Sequence, residues 1–90
     1  MALRYRQARR VKLPRNLDGK ALVRALYKLD YQAVHQTGSH LICRTQRNGQ
    51  HTEPIPLHSP LKVGTLHSIL KRVAIHEGVD LPELLRLLDL

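Results

Sequence analysis

The segment Tyr31-Gln32-Ala33-Val34-His35-Gln36-Thr37-Gly38-Ser39-His40-Leu41-Ile42-Cys43-Arg44-Thr45 decides the fold. Tyr31 to Gln36 reads as a strand, Thr37-Gly38 supplies a turn, and His40 to Thr45 reads as a second strand. In that second strand Leu41 and Cys43 alternate against His40, Ile42 and Arg44, the period of a strand with one apolar face. Asn48-Gly49 is a strong hairpin signal, and a third strand follows over residues 51–57. Pro54 and Pro56 cannot donate to a ladder and point their nitrogens the same way, which sends this strand to a sheet edge. A two-residue Asn-Gly loop would put both prolines where an N–H is needed. A loop of three or more residues, or a bulge, is therefore expected. In some of those registers His40 and His58 sit side by side, and in others they face apart.

Helices flank the hairpins. Asp18 is read as the N-cap of a first helix over residues 19–29. Leu22, Val23, Leu26 and Leu29 give it an apolar face, while Lys20, Arg24 and Lys28 form a basic stripe on another. Gly64-Thr65 opens a second helix, with Leu66, Ile69, Leu70 and Val73 at core spacing and Lys71 and Arg72 near its solvent side. Gly78 is a natural stop. Asp80 can cap a last short helix with Pro82 in its first turn. Its Leu84, Leu85, Leu87 and Leu88 read as core in preference to a protein dock. The order is helix, three antiparallel strands, helix, short helix: an α+β two-layer domain with the helices on one sheet face. We place this single domain at 18–90, behind a basic N-terminal arm over 1–17.

A chain of 90 residues with no Trp, no Phe and three Tyr builds its core from Leu, Ile, Val and Ala. A domain of this size buries roughly 60–65% of the surface its unfolded chain exposes, so its margin of stability is thin. The formal charge of +8 favours anionic partners such as nucleic acid or an acidic protein. A membrane location is disfavoured, because no apolar run approaches the roughly 18–20 residues a span needs. No apolar stretch follows the basic start as a secretory signal requires. The lone Cys43 excludes an internal disulfide and fits a reducing cytoplasm. Arg4, Arg6, Arg9, Arg10, Lys12 and Arg15 crowd the arm without an acid among them. Such a run is either a solvated tail or an extra phosphate-contacting strip.

Six histidines, His35, His40, His51, His58, His67 and His76, invite a metal reading. Their spacing argues against it: no pair is four apart on a helix, and His40 and Cys43 lie on opposite faces of a strand. Ser39 lacks the strand–elbow–helix context of a hydrolase nucleophile. The best candidate is Gln36-Thr37-Gly38-Ser39-His40, where glycine allows a tight turn and the histidine emerges at the start of a strand. Histidine can take or give a proton near physiological pH. RNA cleavage needs a base for the ribose 2′-OH, cations for the phosphorane and an acid for the leaving oxygen. The bland alternative is a histidine that only hydrogen-bonds RNA or solvent.

From Leu13 to the last helix the chain resembles the HicA family of toxin ribonucleases. The matching residues are Gly19-Lys20-Ala21-Leu22-Val23-Arg24-Ala25-Leu26, Tyr31, Val34 and Gln36-Thr37-Gly38-Ser39-His40. Ile55-Pro56-Leu57-His58, Gly64-Thr65-Leu66 and Ser68-Ile69-Leu70-Lys71 complete the set. The resemblance implies a fold like a double-stranded-RNA-binding domain and cleavage of mRNA in the cytoplasm with no metal or other cofactor. It also implies silencing by a HicB-type antitoxin, through which alone the chain would oligomerise. It implies His40 as the catalytic group, Gly38 and Ser39 shaping its approach, and His58 assisting or holding its loop. Asp30 departs from the glycine common between helix and strand, and His35 and His67 stand where basic residues are common.

Three functions are thus set against one another. The first is an RNA endonuclease toxin of a toxin–antitoxin system. The second is a non-catalytic RNA-binding module of the same fold, with Lys20, Arg24, Lys28, Lys71 and Arg72 on phosphates. The third is a DNA-binding regulator using the two C-terminal helices, disfavoured because the last helix is acidic and leucine-rich.

Overall fold

The computed structural model describes residues 11–90. Most of the basic arm, residues 1–10, lies outside the described residues. Of the rest, Val11, Leu13 and Leu17 are partly buried against the core, and the Leu17 carbonyl accepts the Leu61 N–H at 2.8 Å.

Helix α1 (Gly19–Leu26) buries Leu22, Val23, Ala25 and Leu26 and exposes Lys20 and Arg24. It is shorter than the expected 19–29, because its last turn tightens into a 3-10 turn over Tyr27–Leu29. The chain then reverses at Asp30, in the left-handed conformation at φ 64 and ψ 21. The Asp30 N–H bonds the Tyr27 carbonyl at 3.0 Å and the Tyr31 N–H bonds Leu26 at 3.2 Å. These paired bonds satisfy carbonyls that a helix end otherwise leaves orphaned. Asp18 holds the N-cap position, but its carboxylate makes no bond to the helix. It accepts instead from the Ser59 hydroxyl at 2.7 Å.

Asp30 occupies a conformation that costs an L-residue about 1–2 kcal/mol, less for Asp than for most. Its exposed pairing with Arg47, at 3.9 Å, contributes little. Asp30→Gly is expected to raise unfolding stability by about 0.5–1 kcal/mol, the relief being partly offset by a more flexible unfolded chain. Urea denaturation checks this, and a destabilised variant would mean that the carboxylate holds the turn.

Strands β1 (Gln32–Thr37), β2 (His40–Thr45) and β3 (His51–Pro56) form one antiparallel sheet in that order. β3 is an edge, as the prolines require. The Leu57 N–H bonds the Ser39 carbonyl at 2.7 Å, so the odd-numbered positions of β3 face the ladder and the nitrogens of Pro54 and Pro56 face away. Thr45 pairs with His51, which leaves a loop over residues 46–50, longer than two residues as anticipated. The bulge falls in β1 instead, where the register shifts between Ala33 and His35 and Val34 is the extra residue.

Helix α2 (Val63–Glu77) begins one residue before Gly64 and stops at Gly78, which is left-handed. Helix α3 (Leu81–Leu88) is capped by Asp80, whose carboxylate accepts the Glu83 N–H at 3.0 Å. The leucine stripe of α3 is core: Leu81, Leu84, Leu85 and Leu88 are buried together with Leu22, Leu26, Leu66, Ile69, Leu70 and Val73. The sheet contributes Cys43 and Ile55 to this core, from the face that carries Leu41, Cys43 and Thr45. The helix order and the single three-stranded antiparallel sheet make this an α+β fold of the double-stranded-RNA-binding type. Its other sheet face carries His35, Thr37, His40, Ile42, Arg44 and Pro54, all exposed or half-buried. Every residue of β1 is exposed, so this strand overhangs the helix layer.

Candidate active site

The turn that presents His40 has two residues, Gly38 and Ser39, between the paired Thr37 and His40. Gly38 has φ 54, and a positive φ at the first central position is the mark of a II′ hairpin turn, open to glycine without strain. The Gln36 side-chain amide donates to the Gly38 carbonyl at 3.0 Å. The bond from Leu57 to Ser39 fastens the same turn to the chain leaving β3. His40 pairs with Thr37 on one side and Pro56 on the other. Alternation sends its imidazole to the face away from the helices, half-buried at the sheet's end.

His58 lies beyond β3, in the loop that precedes α2, and its side chain is exposed. Its carbonyl accepts the first N–H of α1, that of Gly19, at 2.9 Å. With the Ser59–Asp18 and Leu61–Leu17 bonds, this stitches the loop to the chain entering α1. The structure thus ties three of the sequence motifs together: the Gly-Ser-His turn, the Pro-x-His segment and the start of α1. The register is the one that puts His40 opposite Pro56, with His58 two residues further along.

The basic residues divide into two groups. Lys20, Arg24 and Lys28 are exposed on or just after α1, and the Lys28 ammonium reaches the Leu88 carbonyl at 3.4 Å. Lys71 is exposed on α2, but Arg72 turns to Glu53. Its Nε donates to Glu53 Oε1 at 3.2 Å and its terminal nitrogen to Oε2 at 2.6 Å, a two-pronged pair that raises the guanidinium pKa. Glu53 itself is 1% exposed. Bidentate geometry of this kind is the strongest that Arg offers a carboxylate.

Around that pair lies a polar network absent from the sequence reading. The His51 Nδ1 is 2.6 Å from the Tyr31 hydroxyl, its Nε2 is 3.6 Å from Glu53, and its ring stacks on His76 at 4.8 Å. His76 reaches the Arg47 carbonyl at 2.8 Å, and Arg47 lies 3.4 Å from Glu77. Burial pushes the Tyr31 hydroxyl pKa up and raises the Cys43 thiol to about 11, with Glu53 adding to both. Tyr31 and Glu53 are fully buried, so the centre of the network has no route to a substrate and reads as a structural lock, with Arg47 at its exposed edge. The signal that could have found it is parity. His51, Glu53 and Ile55 share the helix-facing side of β3, which carries the Glu53 carboxylate into the core, so a cation partner was required.

Burial lowers the His51 pKa from 6.5, with His76 and Arg72 adding to the effect and Glu53 and Glu77 opposing it. A depressed folded-state pKa means the unfolded chain takes up the proton first. The stability due to neutral His51 is therefore present above pH 6.5 and lost as pH falls from there through the folded value. The melting temperature of the protein is expected to drop across that window, and to drop less in His51→Gln. Parallel pH profiles for the two proteins would remove His51 as the cause.

Among the described residues no three His, Cys, Asp or Glu side chains gather as a metal ligand set. None of the described helices is long and apolar enough to cross a membrane. The fold and its first hairpin turn define a small basic α+β domain that presents a half-buried histidine on an open sheet face. A family model for the HicA toxin of bacterial toxin–antitoxin systems matches residues 19–75, more than half of the chain. No curated protein and no solved structure matches it. The chain belongs to the HicA toxin family, and with it to the toxin side of a toxin–antitoxin pair.

Proposed function

We propose that this protein is a metal-independent endoribonuclease that cuts mRNA with His40 and is silenced by a HicB-type antitoxin. The observation that carries the reading is the placement of His40. It is fixed by a two-residue turn that is itself bonded to Leu57, on a sheet face that the helices leave open. An imidazole nitrogen of His40 takes the proton of a ribose 2′-OH as its oxygen attacks the adjacent phosphorus. The bond from phosphorus to the 5′-oxygen breaks, and that oxygen takes up a proton. The products are a 2′,3′-cyclic phosphate and a 5′-hydroxyl end, so no water is consumed and no metal is needed in this step. Gly38 and Ser39 shape the approach of the strand, and His58 holds or assists from the adjoining loop. Lys20, Arg24, Lys28 and Lys71 supply exposed charge for phosphates, and Arg72 keeps its partner Glu53 and lends only its outer side. An acidic antitoxin surface would neutralise these cations and cover His40 in one contact.

The test is incubation of the purified protein with a structured and an unstructured RNA in the presence of EDTA, followed by analysis of product ends. Cyclic phosphates from ordinary RNA, with no cutting where the 2′-OH is methylated, are the expected result. Intact RNA, or cleavage abolished by the chelator, would overturn the reading.

A further inference from the structure

The open sheet face does not end at His40. At its other end Asp30, Gln32, Val34, Arg44, Gln46 and Arg47 line a shallow cavity of about 470 Å³. Arg44 lies four residues along β2 from His40, with the same parity, so both side chains leave the same face about 13 Å apart at the rise of a strand. Gln32 pairs with Arg44 across the sheet and joins it on that face.

The lining sets one apolar side chain, Val34, among polar and charged ones, a combination that suits a flat heteroaromatic ring. Val34 is 45% exposed although its strand contributes nothing to the core, and it stands at the β1 bulge. Bulges re-aim side chains in this way, often next to functional sites. Around it stand two carboxamides, each with donors and an acceptor, and two guanidiniums. The cations are held in place before anything binds. Arg44 Nε donates to the Thr52 hydroxyl at 3.1 Å, and Arg47 is drawn between Asp30 and Glu77 at 3.9 and 3.4 Å. Arg44 has no carboxylate partner among the described residues, which leaves its charge for an anion.

We propose that this cavity is a nucleobase subsite that takes a purine of the RNA strand lying across His40, a few nucleotides from the scissile bond. The proposal rests on the ribonuclease reading above and adds to it a source of sequence preference. Glutamine amides and guanidiniums are the groups that pair in two-pronged fashion with purine edges, Gln with adenine and Arg with guanine. Val34 packs on the face of the base, and Arg44 meets the adjoining phosphate. Single-stranded RNA is the substrate form that fits, since its bases are free to leave the strand for such a pocket.

The experiment has two arms. In the first, an uncleavable 2′-O-methyl oligonucleotide is titrated into the labelled protein and followed by NMR. Purine-containing oligonucleotide is expected to shift the side-chain amides of Gln32 and Gln46, and an all-pyrimidine oligonucleotide is not. In the second, cleavage rates are compared on RNAs that differ only by purine or pyrimidine at each position near the cut. The protein is expected to favour a purine at one fixed position by about tenfold, and the double variant Gln32→Ala, Gln46→Ala to bring that ratio close to one. Cleavage without such a preference, or a preference that survives in the double variant, overturns the subsite and leaves the ribonuclease reading intact. No cleavage at all overturns the ribonuclease reading, and the amide shifts then decide the subsite by themselves: present, they support it; absent, they reject it.

Discussion

His40→Ala is expected to lower the rate of RNA cleavage by about 10²–10⁴-fold, the range that a positioned acid–base group supplies. Under the proposed mechanism the loss falls on kcat, because the imidazole acts on the 2′-OH in the transition state and contributes little to holding the strand. Affinity for an uncleavable 2′-O-methyl RNA should stay close to that of the parent protein, since the substitution leaves in place every cation proposed to meet a phosphate, including Arg44 four residues along the same strand. The fold should survive as well. His40 is half-buried at the end of the sheet and makes no side-chain hydrogen bond or ion pair to another described residue, and its neighbours Thr37 and Pro56 are held by the backbone ladder. A variant that cuts RNA as fast as the parent would remove His40 from the chemistry. A variant that loses affinity in step with rate would make it a binding residue only. His35→Ala provides the comparison, because His35 shares the open face but pairs with Ile42, away from the turn.

Gly19→Ala is expected to cost about 3 kcal/mol or more of unfolding stability. A Cβ at residue 19 would stand 2.0 Å from the Pro56 carbonyl oxygen and 3.0 Å from its carbon. Both contacts are to backbone, so no rotamer relieves them, and α1 must lift away from β3. Overpacking usually costs about 1–3 kcal/mol, and rigid neighbours place this case at or above the upper end. Lifting α1 loosens the burial of Leu22 and Leu26, which are fully enclosed. It also strains the Gly19–His58 bond beside the proposed active site. A small domain has little margin to absorb this. Gly64→Ala is the control: nothing lies within 4 Å of that position, so alanine within a helix should stabilise by roughly 0.5–1 kcal/mol. Urea midpoints for the two variants should therefore move in opposite directions. Equal midpoints would mean that α1 does not rest on β3 as closely as described.

Gly19 shows where the reading of residues stops. In the sequence it is one glycine behind an aspartate, at a helix start where many residues serve. Its necessity comes from a strand thirty-odd residues away that presses a carbonyl against it. Asp18 is a similar case. Local chemistry nominates it as a capping side chain, but the loop after β3 arrives with the His58 carbonyl placed to accept the Gly19 N–H and the Ser59 hydroxyl placed to donate to Asp18 itself. Arg72 looks like one more surface cation by helical spacing, and only the packing of α2 over β3 shows the buried Glu53 beneath it.

What the sequence by itself determined was whatever depends on neighbours along the chain. Alternation set the strands and sent His40 to the face opposite Leu41 and Cys43. The two prolines put β3 at an edge and forbade a minimal loop. Gly38, Gly78 and the tolerance of Asp30 for a left-handed turn marked where elements end. Periods, caps and turns are short-range consequences of backbone geometry, so they are written in spacing. The tertiary structure alone decided the register that sets His40 opposite Pro56, the bulge that exposes Val34, and the partners of Glu53. Each of these depends on which of several locally acceptable pairings leaves no buried charge alone and no core space empty. That choice is made by the whole chain at once, through contacts between residues far apart in sequence.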